Sequence, residues 1–409
     1  MTPTPRTLSP ADLRRLRLHS QALSGRAPTT VATHSAGRDA TATATAATTA
    51  AANDAGVAAA LSVVERLLAV QAQDYAASQW ALGARSPGLT AAQVRTALDS
   101  AAIVRSWPMR GTLHLVPARD LHWMLSLTTP RLVTGAATRH AQLGLTTDIL
   151  EAARDIARGA LSGQRDHTRA EFLALLESNG IATGQQRGYH LIWFLAQTGT
   201  LCWGRQAGTQ QVLTLLDEWV PSPRLLQRDE ALGEFVARYV AGHGPATLAD
   251  FVGWSQLTLT DARIGFAVAA QRLTALSVNE VPHYIAADQD PGAGARQHDT
   301  VLALPGFDEY FLAYRDRSAL INDTFSPRIV PGKNGIFRPL LVAEGRIIGT
   351  WRKSAARGVV TVTPEPFRPL TARQQTGLAR GIHSYGAFLG QPVLLGEPGT
   401  PAGLPVGLA

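Results

Sequence analysis

The spacing of hydrophobic and polar residues changes in the same way three times between residues 57 and 290. Each time, apolar residues three or four positions apart predict helices, and two short extended runs follow them. The pattern therefore predicts three helices and a β-hairpin in each pass. In the first pass the predicted elements are helices at 57–70, 77–85 and 91–99 and extended runs at 103–107 and 112–116.

The second pass carries the clearest signals. A capping box, Thr168 to Glu171, begins a helix that ends at Asn179-Gly180. An amphipathic helix over 185–196 follows, and then two strands at 200–204 and 211–215. This order of helix, turn, recognition helix and β-wing is typical of a winged helix. We expect the amphipathic helix to present three side chains to a groove: Gln185, Arg187 and His190.

After the third pass, the sequence pattern changes from mainly helical to mainly strand-like. The predicted helices of that pass lie at 229–240, from Thr247 onward and at 260–273, and its strands at 275–278 and 283–286. Beyond residue 300 the pattern predicts strands at 301–304, 337–343 and 346–351. A small β-barrel or a curled sheet accounts for these strands, and a helix near 371–389 and a Pro/Gly-rich tail come after them.

The N-terminal region contains a helix and a segment of low complexity. Ser9, Pro10 and Asp12 predict a helix start, and that helix runs to about Leu23. From 25 to 56 the chain is mostly Ala and Thr, with too little apolar bulk to offset the entropy of ordering. We therefore predict a disordered insertion over 24–56, in which alanine can support a transient helix.

The predicted fold class is α+β, mainly α, with three tandem winged-helix motifs and a C-terminal small β-barrel or curled sheet. The predicted domains are a first winged-helix region (1–150), a second winged helix (151–225), a third winged helix (226–290), a β-rich region (291–370) and a terminal helix with a flexible tail (371–409).

Composition limits the classes of function. The 409 residues are 45% hydrophobic and 17% charged, enough for two or three domains with a substantial core. A net charge of +7 and a pI near 10.0 permit a polyanionic partner without requiring one. The single cysteine, Cys202, rules out an intrachain disulfide framework. No signal-peptide core or bilayer-spanning stretch is present in the sequence, so we expect a cytoplasmic protein, nucleoid-associated when bound to DNA.

Residues 71–74 are the first candidates for chemistry, because an apolar helical run ends there in Gln71-Ala72-Gln73-Asp74. Two glutamines separated by one residue can hold a single water through their carbonyl oxygens. The alternative is structural, because polar residues at the end of a helix also cap it or face water. Asp74 is expected to cap a helix or to form a salt bridge, and a general-base role is its alternative.

Together with motifs further along the chain, these residues resemble the AlkZ-like DNA glycosylases, a family built from tandem winged helices. The resemblance extends over essentially the whole chain outside the insertion, and it implies that Gln71 and Gln73 are the catalytic pair. Glutamine at the second position resembles the branch associated with self-resistance to DNA-alkylating natural products. The landmarks, in order, are 71–73, 107–114, 243–251, 304–310, 314–317 and 349–352.

Candidate DNA contacts lie on two predicted hairpins. Arg110, Thr112 and His114 occupy alternate positions of a predicted strand, so they share a face that could approach the DNA backbone or the lesion. The structural alternative pairs Arg110 with a carboxylate and buries His114. On the β-rich end, cations and an amide could grip phosphates or simply face water: Lys333, Asn334, Arg352 and Lys353. A dense mixed-charge group is expected to form a structural ion network: Asp308, Glu309, Arg315, Asp316 and Arg317.

Excision of an alkylated purine requires little beyond a placed water, because the alkylated base is already cationic and leaves easily. Together with this chemistry, the resemblance implies a monofunctional DNA glycosylase acting on double-stranded DNA that carries alkylated purines, above all N7-alkylguanine, including bulky adducts and interstrand crosslinks. We expect a monomer with no cofactor and no metal, since no P-loop or Cys/His metal pattern occurs. The alternative is a non-enzymatic winged-helix DNA-binding protein, either a regulator or a lesion-sequestering factor.

Overall fold

The structure, a computed structural model, describes residues 6–24, 42–292, 301–333 and 335–399. The expected α+β class is confirmed, but helices make up about half of the described residues, so the protein is mixed rather than mainly α. Within the described ranges, no helix is both long and apolar enough to cross a membrane.

The N-terminal segment packs against residues far along the chain. Its elements are β1 (Arg6–Thr7) and α1 (Pro10–Ser20). Ser9 caps α1 by accepting a hydrogen bond from the Asp12 N–H, and Leu16 is fully buried in a small core with Leu276. β1 pairs in parallel with residues 276–277. The segment therefore completes the sheet of the third helical unit, whereas the sequence grouped it with the first region.

The first unit has the expected order of three helices and a hairpin. Residues 42–56, expected to be disordered, form the first half of its long helix, so that expectation is wrong for this stretch; the remaining part, 25–41, lies outside the described residues. Alanine has the highest helix propensity, and the buried apolar residues from 60 onward anchor the helix. The elements are α2 (Ala42–Leu67), β2 (Val70–Gln71), α3 (Tyr75–Gly83), α4 (Ala91–Asp99), β3 (Ile103–Met109) and β4 (Thr112–Pro117).

The second unit repeats this order and shares a sheet with the first. Its elements are α5 (Leu121–Gln142), α6 (Thr147–Leu161), β5 (His167–Thr168), α7 (Arg169–Ser178), α8 (Arg187–Gln197), β6 (Leu201–Ala207), β7 (Gln210–Leu215) and α9 (Leu216–Trp219). The six-stranded sheet has the order β2-β4-β3-β6-β7-β5. The two hairpins join where Arg105 of β3 lies opposite Trp203 of β6.

The third unit again has three helices and a hairpin. Its elements are α10 (Arg228–His243), α11 (Leu248–Ser255), α12 (Leu259–Val268), β8 (Leu273–Val278) and β9 (Val281–Ala286). Thr247 and Asp250 form a capping box at the start of α11, and β1 completes the three-stranded sheet β1-β8-β9. α10 is buried along most of its length, between α2, α5 and α12.

The C-terminal region is a curled half-barrel sheet of five strands that pair in chain order. Val393–Leu395 pairs in parallel with residues 360–362, so this part of the expected flexible tail is a strand; three residues carry too little pattern to predict it. The elements are β10 (Val301–Leu304), α13 (Glu309–Leu312), β11 (Leu340–Ala343), β12 (Arg346–Ala356), β13 (Val359–Pro366), α14 (Ala372–Leu389) and β14 (Val393–Leu395).

Candidate active site

The segment with the two glutamines lies at the edge of the six-stranded sheet. α2 ends at Leu67, and Leu68 adopts a left-handed backbone conformation with φ +64°, which turns the chain into β2. In β2, Gln71 lies opposite His114 of β4. The Ala72 N–H then donates to the carbonyl of Leu113 at 2.7 Å. The motif therefore begins on a short strand with Gln71 and continues through a bend at Gln73, rather than ending a helix.

Both glutamine side chains use their carbonyl oxygens to accept one hydrogen bond. Gln71 Oε1 accepts from Arg110 Nη2 at 3.2 Å, and Gln73 Oε1 accepts from the Leu113 N–H at 3.1 Å. A guanidinium and a backbone N–H only donate, so the atoms that face them must be the carbonyl oxygens. Each oxygen retains a second lone pair that a water can use. Gln71 is nearly buried, and Gln73 is exposed.

A buried carboxylate, Glu309 of α13, lies behind the first glutamine. Its two oxygens accept from the Gln71 N–H at 3.2 Å and from Trp254 Nε1 at 2.8 Å, and His243 Nε2 is 3.7 Å away. Burial acts to raise the pKa of Glu309, but the neighbouring His243 and the charge of Arg110 outweigh it and lower the pKa to about 2. Glu309 is therefore ionised at neutral pH and fixes the backbone of the segment that carries the two glutamines.

Arg110 contacts the side chain of Gln71, and its charge acts on the nearby carboxylate of Glu309. It has a left-handed backbone, φ +56°, next to Gly111 in the turn from β3 to β4. Its Nη2 also lies 2.8 Å from His114 Nε2, and His114 Nδ1 lies 2.8 Å from the Thr112 carbonyl. Because arginine only donates, His114 accepts at Nε2 and carries its proton on Nδ1.

His114 is fully buried, and burial followed by the charge of Arg110 lowers its pKa to about 3. The direct DNA contact expected for His114 is therefore wrong: the side chain is a neutral interior histidine that supports Arg110. Burial also lowers the pKa of Arg110, against the charge of Glu309. Thr112 is half-buried, and its hydroxyl has no hydrogen-bond partner within the described part of the chain.

The acidic residues near the site have structural roles. Asp74 caps α3 by accepting a hydrogen bond from the Ala77 N–H at 3.0 Å, as its structural interpretation predicted. The expected local ion network is wrong: Asp308 pairs instead with Arg85, through two contacts of 2.8 Å between fully buried side chains. Sequence reasoning missed the contact of Glu309 with Gln71, although Glu309 lies within one of the motifs, 304–310, that carried the family resemblance.

A family profile described as "DNA glycosylase AlkZ-like" matches residues 64–388 of the chain, which include the glutamine pair, Arg110, His114 and Glu309. The chain belongs to the AlkZ-like DNA glycosylase family. Membership implies hydrolysis of an N-glycosidic bond.

This AlkZ-like protein is similar in sequence to one protein of Streptomyces sahachiroi and in structure to a solved chain from the same organism. The "Interstrand DNA cross-link repair glycosylase" is 26% identical over 325 residues, which cover 76% of this chain and 86% of the relative. The solved structure of "Streptomyces sahachiroi DNA glycosylase AlkZ" matches with a TM-score of 0.73 and 21% identity, covering 95% of this chain and 100% of that one. The second comparison shows a shared fold.

Two of the expected DNA-binding cations of this AlkZ-like glycosylase lie on the long β12–β13 hairpin. Arg352 and Lys353 are both exposed. Arg352 Nε is 3.4 Å from Glu365 Oε1, with 68% of the arginine side chain exposed, and Lys353 Nζ donates to the Tyr385 hydroxyl at 3.5 Å. Lys333 ends a short turn, Pro331–Lys333, and Asn334 lies outside the described residues.

The amphipathic helix of the second unit presents fewer side chains than expected. Arg187 donates to the carbonyls of Ala182 and Leu143, so it ties the start of α8 to the end of α5. His190 packs edge-on against His140, with ring centroids 5.4 Å apart. Of the three expected groove residues, only Gln185 is exposed; Arg187 and His190 are partly buried in packing contacts.

Proposed function

We propose that this protein is a monofunctional DNA glycosylase that excises alkylated purines from double-stranded DNA, with N7-alkylguanine as its principal substrate. The observation that carries the proposal is the paired arrangement of Gln71 and Gln73, whose carbonyl oxygens are each oriented by one donor and each keep a free lone pair. Two fixed acceptors orient a water for attack without a strong base.

Hydrolysis of the N-glycosidic bond needs only the oriented water and the alkylated nucleotide. The bond between the sugar C1′ and the cationic alkylated base breaks, and the base leaves as a neutral molecule with the bonding electrons. The water adds its oxygen to the electron-poor C1′, and its proton passes to solvent. Because the sugar is already cationic when water attacks, orientation matters more than basicity. A neutral glutamine pair suits this step, and an abasic site is the product.

We further infer that the three helix–helix–helix–hairpin units are winged helices that hold the duplex. Their element order supports this, as does the shared sheet that sets the first two units side by side. N7 of guanine faces the major groove, so bulky adducts there are within reach of such a clamp. We include interstrand crosslinks among the proposed substrates because a relative is named as a crosslink repair glycosylase. The corresponding biological role is self-resistance to a DNA-alkylating natural product.

A duplex with one N7-methylguanine at a known position tests the proposal. After incubation with the protein, alkali should nick the strand at that position, and the free base should appear in the supernatant. Binding without base loss would instead support a non-enzymatic DNA-binding protein. A crosslinked duplex, analysed for strand separation under denaturing conditions, tests the extension to crosslinks separately.

A further inference from the structure

Arg105 of β3 holds the peptide group between the two glutamines. Its Nε and Nη2 both donate to the carbonyl of Ala72, at 3.0 and 2.9 Å. Ala72 is fully buried, and its N–H is bound to β4. The residue that joins Gln71 to Gln73 is therefore held at its N–H by the strand and at its carbonyl by a guanidinium fork, which fixes the direction in which both side chains leave the backbone.

The remaining nitrogen of the same guanidinium, Nη1, contacts the second helical unit. Arg105 Nη1 donates to Gln211 Oε1 of β7 at 3.2 Å. The other end of that amide donates to the carbonyl of Gly204 in β6 at 3.2 Å, so both ends of the Gln211 side chain are fixed. Gln211 is 6% exposed. Gln211 thus forms a buried link, hydrogen-bonded at both ends of its amide, between the catalytic segment and the hairpin of the second unit.

Aromatic rings from both units reinforce this position. The Arg105 guanidinium lies 5.2 Å from the ring centroid of Tyr75, which follows the catalytic segment, and 5.8 Å from that of Trp203 in β6. Burial lowers the pKa of Arg105 to about 10. The guanidinium therefore remains charged at neutral pH and able to use all its donors.

We propose that Arg105 is a positioning residue that couples the placement of the second helical unit to the orientation of the glutamine pair. When that unit binds the duplex, the Gln211–Arg105 link orders the Ala72 carbonyl and, with it, the water-holding side chains. This inference rests on the proposed glycosylase activity for its kinetic consequence. Its structural consequence, ordering of the segment on DNA binding, does not depend on that activity.

Single-turnover base release at saturating protein, from the N7-methylguanine duplex, tests the kinetic consequence. Arg105→Lys keeps the charge but cannot reach both acceptors with one amine, and it should lower the rate about tenfold; Gln211→Ala should lower it about threefold. The double variant should be no slower than Arg105→Lys, because Gln211 acts through Arg105. Duplex affinity should stay within about twofold. The matched control is Gln206→Ala, which removes an amide of the same hairpin that binds the Gly208 carbonyl instead.

Rates for Gln211→Ala equal to those of the wild type, or losses that multiply in the double variant, would overturn the coupling. Hydrogen exchange of residues 70–75, with and without undamaged duplex, tests the same link without catalysis. Duplex should slow exchange there in the wild type and do so less in Gln211→Ala; equal protection in both overturns the inference. If the wild type releases no base, the proposed function fails, while the exchange measurement still decides the coupling.

Discussion

Each side chain of the candidate site owes its orientation to a partner that lies far along the chain. Gln71 is held by Arg110, 39 residues away, and by Glu309, 238 residues away. Gln73 is held by the N–H of Leu113, 40 residues away. Rotating either glutamine side chain away would break the hydrogen bond that its carbonyl oxygen accepts. The placement of the pair therefore depends on contacts between segments far apart in the chain.

Replacing either glutamine by alanine should slow single-turnover base release by about 10- to 1000-fold, the range expected for loss of one hydrogen-bonding catalytic group. Duplex affinity should remain close to that of the wild type, because glutamine contributes no charge to phosphate binding. The double variant should lose less than the product of the two single losses, since both groups serve one water.

Gln73→Glu provides the matched control, because a carboxylate oxygen can still accept from the Leu113 N–H while the other orients water. It should retain most of the rate. Wild-type rates in both alanine variants would remove the glutamines from the mechanism, and Asp74 would then be the next candidate for a catalytic role.

Glu309→Gln should lower both stability and base release. One end of the new amide carries only N–H donors, so either the Gln71 N–H or Trp254 Nε1 loses its acceptor. An unsatisfied buried donor costs about 1–3 kcal/mol. Denaturant unfolding and single-turnover kinetics measure the two effects. Glu151→Gln, which alters an exposed ion pair within α6, should change neither, and a wild-type profile for Glu309→Gln would refute the role of the carboxylate.

His114 predicts part of the pH dependence of stability. Its pKa is about 3 in the folded protein, whereas an unperturbed histidine has a pKa of 6.5, so below about pH 6.5 the unfolded chain binds a proton that the folded protein excludes. Stability should therefore fall as the pH drops from about 6.5 towards 3, by about 1.4 kcal/mol per unit from this group. His114→Gln should flatten the decline between pH 6.5 and 5 by about 2 kcal/mol.

The comparison variant for that measurement is His383→Gln, which replaces an exposed imidazole on α14. Denaturant unfolding at several pH values gives the difference. A decline as steep in His114→Gln as in the wild type would show that His114 is not the group that resists protonation. Base release should stay level from about pH 5 to 9, because neither His114 nor Glu309 changes charge in that interval.

At the scale of elements, the β12–β13 hairpin is the clearest candidate for phosphate contact. Its strands run from residue 346 to residue 366, and the side chains of residues 352–359 are exposed on it. An exposed ion pair such as Arg352–Glu365 is worth little in water. A phosphate can therefore replace Glu365 as the partner of Arg352 at small cost.

Arg352→Ala together with Lys353→Ala should weaken duplex binding for all sequences alike. The slope of log K against log salt should become shallower by about 0.9 for each lost phosphate contact, about 2 in total. Fluorescence anisotropy over a range of salt concentrations measures it. Arg380→Ala, an exposed cation on α14 outside the hairpin, serves as the control; an unchanged slope in the double variant would show that the hairpin does not meet phosphate.

At the scale of the whole molecule, distant segments complete one another's cores and sheets. β1 adds a strand to the third unit, and the first two units share one sheet through Arg105 and Trp203. Helix α13 of the C-terminal region carries Glu309 to the first unit. The candidate site exists only where these regions meet, so its integrity depends on the packing of regions hundreds of residues apart.

Leu16→Ala tests the contact between the N-terminal helix and the third unit. Leu16 is fully buried with Leu276, Val278 and Ile285, so its truncation should cost about 2–5 kcal/mol in the free energy of unfolding. Leu259→Ala, at a position 45% exposed, should cost less than about 1 kcal/mol. Thermal and denaturant unfolding provide the comparison, and equal losses would show that α1 is not docked as described.

Features that depend on local order along the chain follow from the sequence alone. The period of apolar residues placed the helices and hairpins of three units, and capping residues such as Thr168 and Thr247 marked helix starts. The glutamine pair was identifiable from its motif, because two residues separated by a single position are neighbours without any long-range information. Alanine propensity, which also acts locally, extended α2 into the stretch expected to be disordered.

The groups that surround that pair depend instead on long-range packing. Burial and partner choice depend on contacts between segments far apart in sequence, and the residue types alone do not encode them. This is why His114 became a neutral support rather than a DNA contact, Asp308 paired with Arg85 rather than with its neighbours, and Glu309 came to lie against Gln71. The protonation state and contacts of an ionisable side chain depend on its burial and on the partners that folding brings near it.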